Sequence, residues 1–459
     1  MGCSSVSEIN ESFNPNKEIA NKKKSEENLQ IITKKEENEE NNEKKENKEK
    51  KENNVKKEDK SFNKENCKSI VSSLPIRKKT NLQPFKKIMK SKTEKLSQKE
   101  KSFVLFLWIC QNIEYDAQSY FAGKNVDCTP EGVFKNGKSI CSGYARLFMD
   151  IALYLKLNVL CVQCYAKGVG YEPGQKMTST DHEYNVINLD NKWYHIDSTW
   201  GAGHIKEKDF VKELNEFYFL PDPELLIKTH FPEDEKWQLT KKKYTLEEFL
   251  KWPKIGNNFY KYEFNKYFPE EGFIELKDLN SQKFIIWGKN LEKKDLSCTV
   301  FLLEGEWYKS RPNLDLINFY NDRFEINCIF NKKGRYLIII YGNNNGETSL
   351  NEMMRYIINV ENDAKNELKF PHSFACAKEI KIIKPLYDGL KPGTKVKFKF
   401  ESKLDTIIII DCNWHYLKRN KQGFFEKEIE IKSLAGKNVI IGKKTRTNEC
   451  TYLYAYDVI

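Results

Sequence analysis

Only the stretch from Cys141 to Asp197 puts a cysteine, a histidine and an aspartate in local settings that suit nucleophilic catalysis. Cys141 follows the turn residue Gly137 and opens a run, Ala145, Phe148, Met149, Ala152, Leu153 and Leu155, whose spacing predicts a buried helix. A thiol at a helix N-terminus faces the positive end of the peptide dipoles, which favours the nucleophilic thiolate. His182 heads an alternating segment (Tyr184, Val186, Leu189) that reads as a strand, Asp190-Asn191 reads as a two-residue turn, and Trp193, His195 and Asp197 alternate down the return strand. With that turn as the hairpin's centre, His182 and Asp197 are expected within about one residue of being cross-strand partners. The aspartate would then fix the imidazole tautomer while the histidine takes the thiol proton.

Two helices should lead into this stretch. Ser97-Gln-Lys-Glu100 is a capping-box pattern ahead of Phe103, Val104, Phe106, Leu107, Cys110 and Ile113 at helical spacing. Thr129-Pro130-Glu131 is a start signal for a short helix that ends at the Gly137 turn. His195 lies two residues before Asp197 on the same strand face, so it reads either as a packing residue or as a rival base. His204, His230, His372 and His415 have no cysteine or carboxylate at metal-ligand spacing and read as structural, and no metal site is expected. Cys161-Val-Gln-Cys164 has redox-like spacing, but it lies in an apolar strand that points the two side chains to opposite faces, so a buried structural pair is the expectation.

These residues resemble the transglutaminase-like cysteine enzymes, in particular the branch of kyphoscoliosis-type peptidases and related cytokinesis and cytoskeletal proteins. That family pairs a G-x-C-x-G-Y-A helix start with an H-A-W-N strand and a W-x-x-x-D-x-T-W-G strand. Cys141-Ser-Gly143-Tyr144-Ala145 resembles the first, and Trp193 to Gly201, with Asp197, Thr199 and Trp200 in place, the third. Tyr218-Phe-Leu-Pro-Asp222-Pro223 and His230-Phe231-Pro232 match two further segments of the branch. The likeness covers roughly residues 97 to 240. In the second motif Glu183-Tyr184 stands where Ala-Trp is usual, and Ser139 stands where Gly is common. The resemblance favours His182 over His195 as the base, because His182 and Asn185 carry the H-x-x-N pattern.

The first 85 residues read differently. Residues 8–66 are dominated by Lys, Glu and Asn with almost no aromatics and cannot bury enough apolar surface to offset chain entropy, so residues 1–85 are expected to be a disordered tail. The net charge is +11, but much of the Lys and Arg lies in this spacer and the linker that follows, interleaved with Glu. With no RNA-binding aromatic motif or zinc-finger spacing, it reads as a solvated polyampholyte rather than a nucleic-acid site. Met1-Gly2-Cys3 offers Gly2 for myristoylation and Cys3 for palmitoylation, although Val6 occupies the usual Ser or Thr position. A chance Met-Gly-Cys in a low-complexity tail is the competing reading. One acyl chain binds membranes only marginally, so Cys3 or the basic linker from Arg77 to Lys90 would have to add a second attachment. Twelve scattered cysteines, with no secretory h-region and no span near about 18 apolar residues, point to a reducing, cytoplasmic setting.

Beyond about residue 240 the chain turns to short apolar or alternating runs, such as Lys283-Phe-Ile-Ile-Trp287 and Arg335-Tyr-Leu-Ile-Ile-Ile-Tyr341, separated by Gly, Asn, Asp and Lys. They predict an antiparallel β-sandwich over 241–370 and a second over 371–459. The expected architecture is therefore an α+β, papain-like domain over 86–240, preceded by the tail and followed by two β-modules that bind or position partners. The expected activity is acyl transfer on a protein substrate through a thioester, by peptidase or crosslinking chemistry, with Cys141, His182 and Asp197 and without metal or nucleotide cofactor. The alternative is a non-catalytic scaffold in cytoskeletal or cytokinesis assemblies. Partners are then a protein substrate or a cytoskeletal protein, and a membrane surface if the N-terminus is acylated.

Overall fold

The capping box forms as the sequence predicts. Ser97 accepts from the Glu100 amide while the Glu100 carboxylate takes the Ser97 N–H, and the helix Gln98–Asn112 runs from it. Its residues Phe103 to Cys110 are all at most 2% exposed, so this helix is covered on every side rather than along one stripe. The computed structural model describes residues 62–277, 280–374, 379–402, 404–444 and 449–459. Gly2 and Cys3, with the rest of 1–61, lie outside the described residues.

Order begins earlier than the expected boundary at 86. Helix Lys64–Ser73 buries Cys67 and Val71, and helix Leu82–Thr93 buries Leu82, Phe85 and Met89. The Phe85 ring meets Trp108 at 4.1 Å and Phe134 at 5.1 Å, contacts that tie it to the two predicted lead-in helices. The basic linker is thus part of the fold. Lys86 is buried in an ion pair with Asp150, Arg77 donates to the Lys135 carbonyl, and Lys90 lies over the Tyr154 ring. Charge density in a sequence does not show which cations have a partner, and this is why the segment read as a free linker.

Thr129 caps the helix Pro130–Asn136, and Gly137 ends it at φ 71°, a left-handed backbone that suits glycine. Helix Cys141–Tyr154 follows and packs on an antiparallel four-stranded sheet in the order Lys192–Ile196, His182–Leu189, Asn158–Ala166, His230–Pro232. The turn at Asp190-Asn191 has φ of 50° and 66°, the left-handed pair that matches strand twist in a two-residue hairpin. The segment after 240 does not yet belong to a sandwich. Helix Leu246–Lys251 packs Phe249 against Ile227 and Phe231, and the buried Lys167 ammonium donates to the Phe249 and Trp252 carbonyls at the end of that helix.

The first sandwich stacks two sheets. One has the order Phe264–Phe268, Ser281–Gly288, Arg323–Ile329, Asp315–Phe319; the other has Phe273–Leu276, Asn351–Val360, Gly334–Asn344, Lys294–Glu304, Trp307–Ser310, with Lys254–Ile255 also paired to Asn351–Val360. Phe273–Leu276 runs parallel to Asn351–Val360, against the expectation of purely antiparallel pairing. Alternation reports which face a side chain takes, not strand direction. The second sandwich has a five-stranded sheet, from His372–Ser373 through Cys450–Asp457, Asn438–Lys444 and Thr406–Ile410 to Asn413–Tyr416, over a three-stranded one. Among the described residues all ten cysteines are free thiols, and no helix is long and apolar enough to cross a membrane.

Candidate active site

Cys141 is the first residue of its helix, and the close packing that sets it there depends on Gly143. A Cβ on Gly143 would lie 2.1 Å from the Ser139 hydroxyl oxygen, so the backbone can approach only without a side chain. Opposing influences act on the thiol. Burial pushes its pKa up, but the hydrogen bond and charge of the His182 side chain, together with a hydrogen bond from the Glu183 backbone, outweigh burial and bring it below the ordinary thiol value. Burial likewise disfavours a charged His182, yet the Asp197 carboxylate and the Cys141 sulfur raise the imidazole to about 10. Both shifts favour a thiolate–imidazolium pair, and the pair titrates as a unit.

His182 Nε2 is 2.7 Å from Asp197 Oδ2, which leaves Nδ1 for the thiol. The hairpin register runs Asn185 with Ile196 and Leu189 with Lys192, so the position opposite His182 is Thr199, two residues beyond Asp197. The expected near-direct pairing is thus corrected to a diagonal one. Pairing has ended by then, because Asp197 caps the short helix Ser198–Ala202. Its Oδ1 accepts the Thr199 and Trp200 amides at 2.8 and 3.0 Å. Burial alone would raise this carboxyl, but His182 and the other donors around it hold it well below the usual carboxylate range.

His230, expected to be structural, shares the site. Its Nε2 is 3.0 Å from the same Asp197 Oδ2, and its Nδ1 is 2.8 Å from the Thr229 hydroxyl. Burial lowers its pKa and keeps it neutral, so it donates one proton to the carboxylate. The ring is fully buried edge-on against Trp200, with centroids 4.4 Å apart. The one sequence signal available was the His-Phe-Pro match, which gave a family position and no contact. His182, Asp197 and His230 also form a set whose ligand atoms could hold a metal ion, and the two imidazole to carboxylate hydrogen bonds already use those atoms.

His195, the rival base, is 2% exposed, is 3.4 Å through Nε2 from the Gln238 carbonyl and is pushed down to about 3 by burial. It packs on Tyr184 and makes no hydrogen bond with Cys141 or Asp197. Asn185 donates to the Ala145 carbonyl of the nucleophile helix at 3.0 Å, which locks strand to helix. Glu183 is buried beside that joint, accepting from Gln163 at 3.0 Å with the Arg146 guanidinium at 3.9 Å. Replacing Glu183 by alanine strands the Arg146 charge near the pair, which disfavours imidazolium. The alkaline limb of a pH profile of Cys141 reactivity is expected to move down by a few tenths of a unit. A profile that overlays the wild type would show that this carboxylate does not act on the site.

A cleft of about 310 Å³ opens beside His182. Its walls include Tyr115 and Trp200 together with Lys254 and Arg355 from the first sandwich. Strand Glu114–Tyr115 pairs with Lys138–Ser139, which places Tyr115 two residues along the paired strand from the nucleophile helix.

Residues 86–198 match the family described as the transglutaminase-like superfamily. Relatives similar to the chain include the kyphoscoliosis peptidase of Mus musculus, 31% identical over 210 residues, which are 45% of this chain and 31% of that protein. The Homo sapiens kyphoscoliosis peptidase is 34% identical over 168 residues (36% of this chain, 25% of that protein), and Hillarin of Drosophila melanogaster is 28% identical over 188 (38% and 22%). The chain therefore spans about a quarter to a third of the length of the curated relatives it matches. An I-band fragment of titin aligns at 10% identity and a TM-score of 0.13, covering 40% of this chain and 62% of that one, a level that says nothing about fold. The motif at Cys141, the hairpin that brings His182 to Asp197, the family match and these relatives agree: residues 86–198 are a transglutaminase-like domain, similar to that of the kyphoscoliosis-type branch of the superfamily.

Proposed function

We propose that this domain is a thiol-dependent acyl-transfer enzyme acting on protein substrates. The observation that carries the reading is the buried chain in which the Asp197 carboxylate holds His182 and His182 holds a lowered-pKa Cys141 thiol. In this mechanism the Cys141 thiolate attacks a peptide or glutamine carboxamide carbonyl, and the C=O π electrons move to oxygen. The imidazolium then protonates the departing amine or ammonia as the C–N bond breaks, leaving a thioester. Neutral His182 next takes a proton from the incoming water or amine, whose attack regenerates the thiolate. In this reading a backbone N–H at the start of the Cys141 helix receives the developing oxyanion, and such donors contribute about 10²–10³ in rate each in other enzymes. Asp197 orients the ring and stabilises its charge without itself becoming protonated.

The test is peptide-level labelling with an acyl-type thiol probe at neutral pH. Cys141 should react at least about tenfold faster than cysteines such as Cys67 and Cys161, which burial raises to about 11 and about 12. In His182→Ala that advantage should disappear. If wild-type Cys141 reacts no faster than the rest, the enzyme reading is lost and a binding role replaces it.

A further inference from the structure

The cleft beside His182 is lined by two acids, and only one of them is neutralised. Glu352 is held by Arg355 through two hydrogen bonds. Asp181, immediately before His182, accepts the Ala166 N–H through Oδ1 at 2.8 Å, and among the described residues no lysine or arginine pairs with it. The lysines that line the cleft are turned elsewhere. Lys167 is buried on the Phe249 and Trp252 carbonyls, and Lys254 reaches toward the Val169 carbonyl from the sandwich wall. Tyr115 and Tyr120, edge to face at 5.8 Å, line the cleft as well, and the Asp181 charge acts on both phenols. Asp181 is exposed at the cleft, and the protein surface around it raises its carboxyl. An exposed carboxylate at a cleft, with one oxygen held by a backbone N–H, aromatic rings nearby and no lysine or arginine paired with it, is a recognition site for positive charge; the one cation beside it, His182, is already held by Asp197.

We propose that the Asp181 end of the cleft takes a basic side chain, lysine or arginine, of the protein substrate next to the carbonyl that Cys141 attacks. Occupation would supply the cation that Asp181 lacks and place the aliphatic stem against the tyrosines. The acyl-transfer reading is what makes this ligand a substrate, whereas the charge selection can be measured at the thiol without turnover.

The experiment uses two small reagents of opposite charge, 2-(trimethylammonium)ethyl and 2-sulfonatoethyl methanethiosulfonate. Each forms a mixed disulfide with a thiolate and releases methanesulfinate. Modification rates of Cys141 in the full chain are read by peptide mass spectrometry, and the cation-to-anion ratio is divided by that of the exposed Cys412. In the wild type the normalised ratio should exceed one at low salt and collapse toward one in 1 M NaCl. Asp181→Asn retains an oxygen for the Ala166 N–H and should lower the ratio by ~5-fold, and Asp181→Lys should invert it. A loss of thiolate slows both reagents together and leaves the ratio in place. Thus His182→Ala tests the acyl-transfer reading through the absolute rates, and Asp181 is judged by the ratio alone. A ratio insensitive both to salt in the wild type and to the Asp181 substitutions overturns the proposal.

Discussion

Asp197→Asn is expected to lower the rate of Cys141 acylation on the order of 10²-fold or more while leaving the backbone in place. The asparagine oxygen can still accept the Thr199 and Trp200 amides, which puts its NH₂ where Oδ2 now meets His182 and His230. An NH₂ donating to His182 Nε2 forces the proton to Nδ1, the atom that must accept from the thiol, so the ring is held in the wrong tautomer. The imidazolium also loses its counter-ion in a buried site, which removes the main reason its pKa stands at about 10. With less imidazolium beside it, the thiol returns toward an ordinary value and the acidic limb of the rate profile moves up in pH.

Stability should follow with a defined sign. Asp197 has a depressed pKa, so its ionised form contributes stability that is present above the unfolded value of 3.8 and lost as pH falls toward the lower folded one. The wild type should lose that increment on acidification and the asparagine variant should have little of it to lose, with a deficit of about 3–5 kcal/mol near neutrality from breaking a buried charge pair. Melting curves across pH and peptide-level acylation rates check both. A variant within threefold of the wild-type rate would remove Asp197 from the mechanism.

His230→Ala should destabilise the fold by about 2–4 kcal/mol, since it empties a fully buried ring site against Trp200 and withdraws a hydrogen bond from a buried carboxylate. It should also slow acylation by about tenfold, because Asp197 Oδ2 loses one of the two imidazole contacts that fix it. A purely structural histidine would show the stability loss alone. A positioning role adds a change in the pH profile: with one donor gone, the carboxylate charge concentrates on His182, and the alkaline limb should move up by a few tenths of a unit. His230→Gln, which can still donate toward Asp197, should recover part of the rate. Wild-type rate and profile in the alanine variant would confine His230 to packing.

The local signals in the chain were legible because each is decided by neighbours in sequence. The Ser97–Glu100 box, the Thr129 cap with its proline, the left-handed Gly137 and the Asp190-Asn191 turn each satisfy backbone groups within a few residues, so composition reports them directly. Together they determined that a cysteine would begin a helix and that a histidine and an aspartate would stand on facing arms of one hairpin. Alternating runs likewise determined two β-modules, since side-chain period 2 survives whatever the sheet order.

Contacts that arrive from far along the chain were decided only in three dimensions. His230 lies 33 residues from Asp197 and reaches it because its short strand adds to the sheet edge at Cys164. Glu183 meets Arg146, and Lys86 meets Asp150, across elements whose packing no periodicity specifies. Residues of the first sandwich line the cleft together with Trp200, so a module with no chemistry of its own in the sequence becomes a wall of the site. The physical reason is common to all of them. Residue types and short spacings set the local backbone and the face a side chain takes, whereas the pairing of buried charges and the shape of a cleft depend on which distant surfaces the hydrophobic cores bring together.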